Sequence, residues 1–204
     1  MAQVVTFAPQ SHLECAMAGE NSQRVRLTAH ASTPNDGVRD LQVQVSIRER
    51  EVLSLDYCLQ GDISRLLMPP PQRAPQRAGE LWKHTCFEAF VVTDDSPGYY
   101  ELNFSPSGNW AAYRFSAYRT GMVPADGIGA PTIQVEVGAA GLRLQAAIAI
   151  EAIRQATEPP ATLRIALAAV IEERVGTLSY WAQRHAPGKP DFHHRDAFAF
   201  EIAS

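Results

Sequence analysis

The feature of this chain that most restricts its fold is a regular alternation of apolar and polar residues. In residues 41–47 every second residue is Leu, Val or Ile, and the same apolar period of two runs through 25–31, 53–59, 142–150 and 163–171. Successive side chains of a β-strand point to opposite faces, so this period is typical of strands that place one face in a core. The pattern predicts an all-β protein.

Shorter apolar runs between turn-forming sequences predict the remaining strands. They lie at 3–7, 84–93, 99–105, 110–119, 132–137, 177–183 and 197–202. Roughly 10–12 antiparallel strands and one short helical segment at 151–157 predict a jelly-roll-like antiparallel β-sandwich with little helix. The chain shows no domain boundary and no repeat, so we expect residues 1–204 to form a single domain.

Size and charge exclude several classes of partner. The 204 residues, 46% of them hydrophobic, can build one sizeable core. A net charge of −4 provides no basic surface for a nucleic-acid backbone, so we expect no nucleic-acid partner. No apolar stretch reaches the roughly 18 residues that a membrane helix needs, so we expect no membrane span.

The N-terminus and the cysteines indicate a cytoplasmic location. Residues 1–7 lack the basic segment and long apolar stretch of a secretory signal. Cys15, Cys58 and Cys86 are odd in number and widely spaced, which is not typical of a disulfide framework or a zinc site. Such cysteines fit a reducing compartment.

Polar and aromatic side chains of residues 82–119 form the first candidate site. If neighbouring strands pair with their faces aligned, one side of the sheet carries Glu88, Glu101, Asn103, Trp110 and Arg114. An indole can cover the apolar C–H face of a ligand while carboxylate, amide and guanidinium groups bind its hydroxyls. The alternative is an ordinary solvated sheet face with an Arg–Glu pair.

Two neighbours of this block belong to the same candidate site. Trp82 precedes the strand at 84–93 and could act as a stacking platform, and His84 shares the strand face of Glu88. We expect both to take part in ligand binding.

The second candidate site lies near the C-terminus, where Trp181 is followed by a loop that contains Asp191, His193 and His194. Loops held by a rigid scaffold often carry ligand contacts, so we include Trp181, Asp191 and His193 in the predicted site. The alternative is that the histidines make structural hydrogen bonds. Adjacent histidines on an extended chain point in opposite directions, and no metal-binding motif accompanies them, so we expect no metal.

Catalytic signatures are absent from the sequence: it contains no GxSxG, P-loop or GxGxxG motif. Glu88 and Glu101 could suggest the paired carboxyl groups of a glycosidase. A glutamate paired with Arg114 would, however, lose the raised pKa that an acid catalyst needs. We therefore expect a binding protein rather than an enzyme.

These segments resemble the DOMON-like superfamily, in the branch related to family 9 carbohydrate-binding modules. The resemblance rests on three segments: Trp82–Val92 with its core Cys86–Phe90, Tyr99–Trp110 and Ser179–His194. It implies a β-sandwich that binds a sugar or haem in a pocket on one sheet. The site would then contain Glu88, Glu101, Asn103 and Trp110 and be closed by the Pro-rich segment 61–80. Haem-binding relatives use Met and His as axial ligands, which would here be Met68 or Met122 with His84, His185 or His193.

Three hypotheses about function follow. The first is a module that binds a carbohydrate or a sugar-containing metabolite without a cofactor, with Trp82, Trp110 and Trp181 as stacking platforms. The second is a haem-binding redox protein. The third is a protein-interaction module without a small ligand, which could form a homodimer through a sheet edge or the Trp110 face.

Overall fold

The computed structural model describes residues 4–6, 22–48, 51–93, 96–154 and 162–202. Within them lie thirteen strands and one short α-helix, α1 (Glu151–Arg154). The strands are β1 (Val4–Thr6), β2 (Gln23–Ala29), β3 (Val38–Arg48), β4 (Val52–Gly61), β5 (Cys86–Thr93), β6 (Tyr99–Phe104), β7 (Trp110–Phe115), β8 (Val123–Pro124), β9 (Thr132–Gly138), β10 (Gly141–Ala149), β11 (Leu163–Glu172), β12 (Leu178–Ala182) and β13 (Phe200–Ile202). Short 3₁₀ helices occur at Ile63–Arg65, Leu81–Lys83 and Arg195–Ala197.

The strands form two layers that are continuous at one edge. The first layer has the order β1-β9-β10-β4-β3-β2, and the second has the order β12-β11-β5-β6-β7-β8, with β13 also paired to β11. β2 and β12 join the layers through two residue pairs, Trp181 with Ala29 and Ala182 with Thr28. Among the described strands, β1 and β9 pair in parallel and the others pair antiparallel.

The core lies between the two layers, as the alternation predicts. Tyr57 of β4 reaches across it: its hydroxyl donates to the backbone carbonyl of Glu88 over 2.8 Å, and its ring lies 5.0 Å from that of Phe87. The alternating residues Leu41, Val43 and Val45 of β3 are buried in the same core. The predicted all-β sandwich is confirmed.

The outer face of the second layer is also covered. β11 contributes Ala166, Ala168 and Val170 to a second apolar cluster on that face, together with Phe90 of β5 and Phe192. Phe192 belongs to the C-terminal loop, defined here as residues 183–199, which connects β12 to β13. A sheet face that would ordinarily meet water thus becomes a partly enclosed surface.

Element positions agree closely with the predicted ones. Each predicted strand has a counterpart, and α1 occupies the start of the predicted helical segment 151–157, whose last three residues lie outside the described residues. The two-residue strand β8 was not predicted. Such a short strand leaves no alternation to detect.

The cysteines differ from expectation. Cys86 is a free thiol and is buried, whereas Cys58 is disulfide-bonded. Cys15 lies outside the described residues. The odd number and wide spacing of the cysteines did not indicate this disulfide, and they were one of the reasons for predicting a reducing compartment.

In the described part of the chain, no helix has both the length and the apolar character needed to cross a bilayer.

Candidate functional site

Two acidic side chains share the outer face of the second layer. Strand register places Glu88 of β5 opposite Asn103 of β6, and Phe90 opposite Glu101. Directly paired residues share a face in an antiparallel sheet, so Glu88 and Glu101 are diagonal neighbours on one side. They are only 2% and 4% exposed.

Above this pair lies a cavity of about 350 Å³. Its lining comes from four parts of the fold. The strands supply Glu88, Glu101, Phe115 and Tyr180, the 3₁₀ helix Leu81–Lys83 supplies Trp82, the β7–β8 connection supplies Arg119 and Met122, and the C-terminal loop supplies Pro190, Phe192 and His193. The cavity therefore combines an acidic centre with aromatic walls, a composition typical of small-molecule sites.

The two carboxyl groups differ in their hydrogen bonds. Asn103 Nδ2 donates to Glu101 Oε1 over 2.7 Å, and Asn103 Oδ1 lies 3.8 Å from the thiol of Cys86. Glu88 Oε1 has no hydrogen-bond partner among the described residues. A buried polar atom without a partner is costly and is uncommon in native proteins, which makes Glu88 a candidate functional residue.

Burial controls the protonation of this pair. It raises the pKa of Glu88 well above its usual value, and the nearby Glu101 charge raises it further. Burial also raises the pKa of Glu101, against the opposing effects of the Asn103 hydrogen bond and the Arg119 charge. The cavity thus holds a carboxyl pair that retains a proton at a higher pH than isolated glutamates would.

The imidazole of His193 covers the pair from the C-terminal loop. Its Nδ1 lies 2.7 Å from Tyr99 Oη, and its Nε2 lies 3.9 Å from Glu101 Oε2. Burial and the Arg119 charge lower the pKa of His193 to about 4. The ring is therefore neutral at physiological pH and does not neutralise the glutamates.

A polar clamp fastens the C-terminal loop to the β7–β8 connection. Arg119 Nη2 donates to Asp191 Oδ1 over 2.8 Å, and the hydroxyl of Tyr118 donates to Asp191 Oδ2. The backbone N–H of His193 also donates to Asp191 Oδ1, over 3.1 Å. Arg119 adopts a left-handed backbone with φ +51°, which is uncommon for a residue other than glycine and places its guanidinium within this clamp.

Two predicted site residues lie on the opposite side of the sheet. β6–β7 register pairs Phe104 with Trp110 and Tyr100 with Arg114, so both face away from Glu101. Trp110 is 6% exposed and belongs to the main core, beneath the guanidinium of Arg77 at 4.5 Å. The expectation of a shared face with Glu88 and Glu101 is wrong for Trp110 and Arg114, because the β6–β7 register aligns the other set of alternate residues.

Trp181 and His84 also lie away from the cavity. Trp181 is buried in the main core and donates from Nε1 to Ser179 Oγ over 3.0 Å, while the alternate residue Tyr180 lines the cavity. His84 precedes β5 and pairs through Nδ1 with Glu172 Oε2 at 2.7 Å. Because His84 lies before the first residue of β5, strand alternation does not place it on the face of Glu88.

Of the ten residues predicted for the site, the cavity is lined by four: Trp82, Glu88, Glu101 and His193. Two more predicted residues hold lining residues in place. Asn103 donates a hydrogen bond to Glu101, and Asp191 accepts one from the backbone N–H of His193.

The Pro-rich segment does not close this cavity. Its residues 76–78 instead extend the edge of β7, because Ala78 N–H donates to the carbonyl of Trp110 over 2.9 Å and Trp110 N–H donates to that of Gln76 over 3.2 Å. Arg77 bonds the backbone carbonyls of Ala125 and Ile128. The C-terminal loop covers the cavity in its place.

Some of the missed residues could have been recognised from the sequence. Ala166, Ala168 and Val170 make the β11 run apolar on both faces, which is typical of a strand covered on both sides. Arg119 and Met122 carry no such signal, because their place at the cavity depends on contacts with residues some 70 positions away in the chain, as in the pair Arg119–Asp191.

The predicted haem ligands do not form a suitable axial pair. Met122 and His193 line the same cavity, but one ring nitrogen of His193 is bonded to Tyr99 and the other faces Glu101. Met68 packs against the main core, and His185 Nε2 donates to the carbonyl of Thr28. In the described part of the chain, no group of three or more His, Cys, Asp or Glu residues is arranged to hold a metal ion.

Comparison with known proteins adds evidence on the fold. No protein family matches the sequence, and no curated protein is significantly similar to it. A crystal structure from Bacteroides uniformis, described as a "putative carbohydrate-binding protein", superimposes with a TM-score of 0.61 at 14% identity, over 87% of this chain and 83% of the other. This similarity shows a shared fold.

Proposed function

We propose that the protein is a non-catalytic module that binds a carbohydrate in the cavity above Glu88 and Glu101. The observation that carries the proposal is the pairing of buried carboxyl groups with an aromatic side chain, Trp82, on the wall of one cavity. Hydroxyl-rich rings need hydrogen-bond partners at their edges and an apolar surface against their C–H faces, and this lining offers both.

The dimensions also favour a small ligand. A cavity of about 350 Å³ lies at the lower end of the range for ligand sites and suits one or two sugar rings better than a large macrocycle. Tyr180 and Phe192 add aromatic surface. The name of the structurally similar Bacteroides uniformis protein is consistent with this function.

The two rival hypotheses find less support. A haem protein would need His193 Nε2 to face the iron, whereas Nε2 faces Glu101 Oε2 at 3.9 Å. An interaction surface built on Trp110 would need that indole exposed, whereas it is buried. A homodimer through another surface, membership of the DOMON-like superfamily and a cytoplasmic location stay predictions, for which sedimentation, homologous sequences and cell fractionation are the respective tests.

Tryptophan fluorescence gives a direct test, because of the three tryptophans Trp82 lines the cavity and Trp110 and Trp181 lie in the main core. We expect a panel of mono- and disaccharides at millimolar concentration to include at least one that raises the melting temperature and alters the emission. The emission change should disappear in Trp82→Phe and persist in the matched control Trp181→Phe.

Two results would contradict the proposal. One is the absence of any thermal shift across the panel. The other is an unchanged fluorescence response in Trp82→Phe, which would place binding elsewhere.

A further inference from the structure

The acidic groups at the centre of the cavity have no cationic partner among the described residues. Glu88 and Glu101 lie at its centre, and no ammonium or guanidinium group contacts either of them among the described residues. Arg119 is the one cationic side chain of the lining, and it is 50% exposed and bonded to Asp191 at 2.8 Å.

The other groups near the pair supply no positive charge. His193 is neutral at physiological pH because burial and Arg119 lower its pKa to about 4. The thiol of Cys86 lies beside Asn103, and burial raises its pKa well above the usual value, so that it stays neutral too. Tyr99 is likewise neutral, with its pKa raised by burial to about 12.

Glu88 is the acidic group of the cavity with the fewest hydrogen-bond partners. The residue is 2% exposed, it lines the cavity, and its Oε1 lacks a partner among the described residues. A carboxylate in a poorly hydrated site gains most from a ligand group that is both a hydrogen-bond donor and positively charged.

We propose that the cavity selects a sugar that carries a primary ammonium group, an amino sugar, over its neutral parent, with the ammonium held between Glu88 and Glu101. This inference rests on the proposed function, since it assigns the chemical class of the sugar. A sugar acid is the opposite case, because its carboxylate would meet two acidic groups.

The cavity walls favour the same ligand. Trp82 and Tyr180 present aromatic rings to the cavity, and the π face of such rings attracts cations as well as sugar C–H groups. An ammonium group at the carboxyl pair would therefore lie in surroundings that stabilise its charge on more than one side.

Binding of the ammonium group should release a proton. In the free protein the carboxyl pair retains a proton above its usual pH range, because burial and mutual repulsion raise the pKa of Glu88. When the ammonium ion arrives with its three N–H donors, both carboxylates become favourable acceptors, and the retained proton passes to the buffer. No covalent bond forms or breaks beyond that O–H bond.

Titration calorimetry near neutral pH provides the test, with three ligands for each of several hexose stereoisomers: the neutral sugar, its 2-amino analogue and the N-acetyl derivative. We expect the amino sugar to bind roughly tenfold more tightly than the neutral sugar, as a charge-assisted hydrogen bond allows. Its binding enthalpy should change between buffers of different ionisation enthalpy. The N-acetyl derivative, which has no charge, should show neither effect.

A pair of variants locates the effect. Glu88→Gln should remove both the preference for the amino sugar and the proton release, so that the amino sugar and the neutral sugar bind with affinities within a few-fold of each other. Glu80→Gln changes an exposed glutamate that pairs with Lys83 and should leave both unchanged. If Glu88→Gln does not fold, the comparison of the amino, neutral and N-acetyl sugars with the native protein still decides the matter.

The outcomes separate the two proposals. Neutral sugars that bind as tightly as amino sugars, or a preference for amino sugars that persists in Glu88→Gln, would overturn the inference and leave carbohydrate binding intact. The absence of binding by every sugar would overturn both.

Discussion

Tyr99 and His193 are joined by a hydrogen bond of 2.7 Å between Tyr99 Oη and His193 Nδ1, which connects β6 to the C-terminal loop. Tyr99 Oη also accepts the backbone N–H of Arg119 over 3.2 Å. Among the described residues, His193 Nδ1 is the one acceptor within hydrogen-bond distance of this hydroxyl, so we infer that the hydroxyl donates its own hydrogen to Nδ1. The imidazole then carries its hydrogen on Nε2, which faces Glu101.

Removal of that hydroxyl should loosen the cover of the cavity. We expect Tyr99→Phe to lower the free energy of unfolding by about 1–2 kcal/mol, since two buried hydrogen bonds are lost while the ring still stacks on Phe115. Urea denaturation measures this change, and imidazole ¹⁵N shifts report the tautomer of His193. Unchanged ¹⁵N shifts would show that the hydroxyl does not fix the tautomer.

The pH dependence of His193 has a definite sign. Its pKa is about 4 in the folded protein against the ordinary value of 6.5 in the unfolded chain. Between these values the unfolded chain binds the proton and the folded protein does not, so the contribution of His193 makes stability fall as pH decreases from 6.5 towards 4, by at most about 3 kcal/mol. NMR titration of the ring should give a midpoint near pH 4, and a midpoint near 6.5 would contradict its burial.

Glu88 should act in the opposite direction. Burial raises the pKa of Glu88, so the folded protein binds this proton more tightly than the unfolded chain does. The Glu88 contribution to stability is therefore lost as pH rises from the ordinary glutamate range through the raised pKa. Glu88→Gln removes this loss. The stability of the variant relative to the native protein should therefore increase with pH, as measured by urea denaturation at several pH values.

A matched variant separates this effect from general charge repulsion. Glu80→Gln removes a carboxyl group whose side chain is 65% exposed, so it changes the net charge by the same amount without touching the buried pair. Parallel pH profiles for the two variants would contradict the assignment of Glu88 as a buried acid.

Asp191 tests whether the clamp holds the loop in place. Asp191→Asn keeps the shape of the side chain but weakens its bonds to Arg119 and Tyr118. We expect faster amide exchange in residues 183–199 and little change in the exchange of β3 and β4, because those strands lie in the other layer. Uniform acceleration across the whole chain would show instead that Asp191 supports global stability.

The strands could be predicted from sequence because alternation records which side chains meet the core. Leu41, Val43 and Val45 illustrate this, as all three are buried where the pattern places them. The same local signal predicted that Glu88, Glu101 and Asn103 share a face, and the register of β5 with β6 agrees.

The rest of the site depends on information that alternation does not contain. Trp110 and Arg114 alternate as regularly as Glu101 and Asn103, and only the register between β6 and β7 decides which set lies on the same side. The polar or aromatic character of a β7 residue did not predict the side of the sheet on which it lies. The indole of Trp110 belongs to the core, and Tyr113 and Ala111 pair with Glu101 and Asn103.

The two indoles of Trp110 and Trp82 differ in how deeply they are buried. Trp110 packs in the main core at 6% exposure, whereas Trp82 stands on a 3₁₀ helix and contacts the edge of Tyr113. Trp110→Ala should lower the free energy of unfolding by about 3–5 kcal/mol, as removal of a large buried ring does. Trp82→Ala should cost about 1 kcal/mol or less, the usual cost of a change near the surface. Urea denaturation of both variants measures these losses, and similar losses would show that Trp82 belongs to the structural core rather than to a binding cavity.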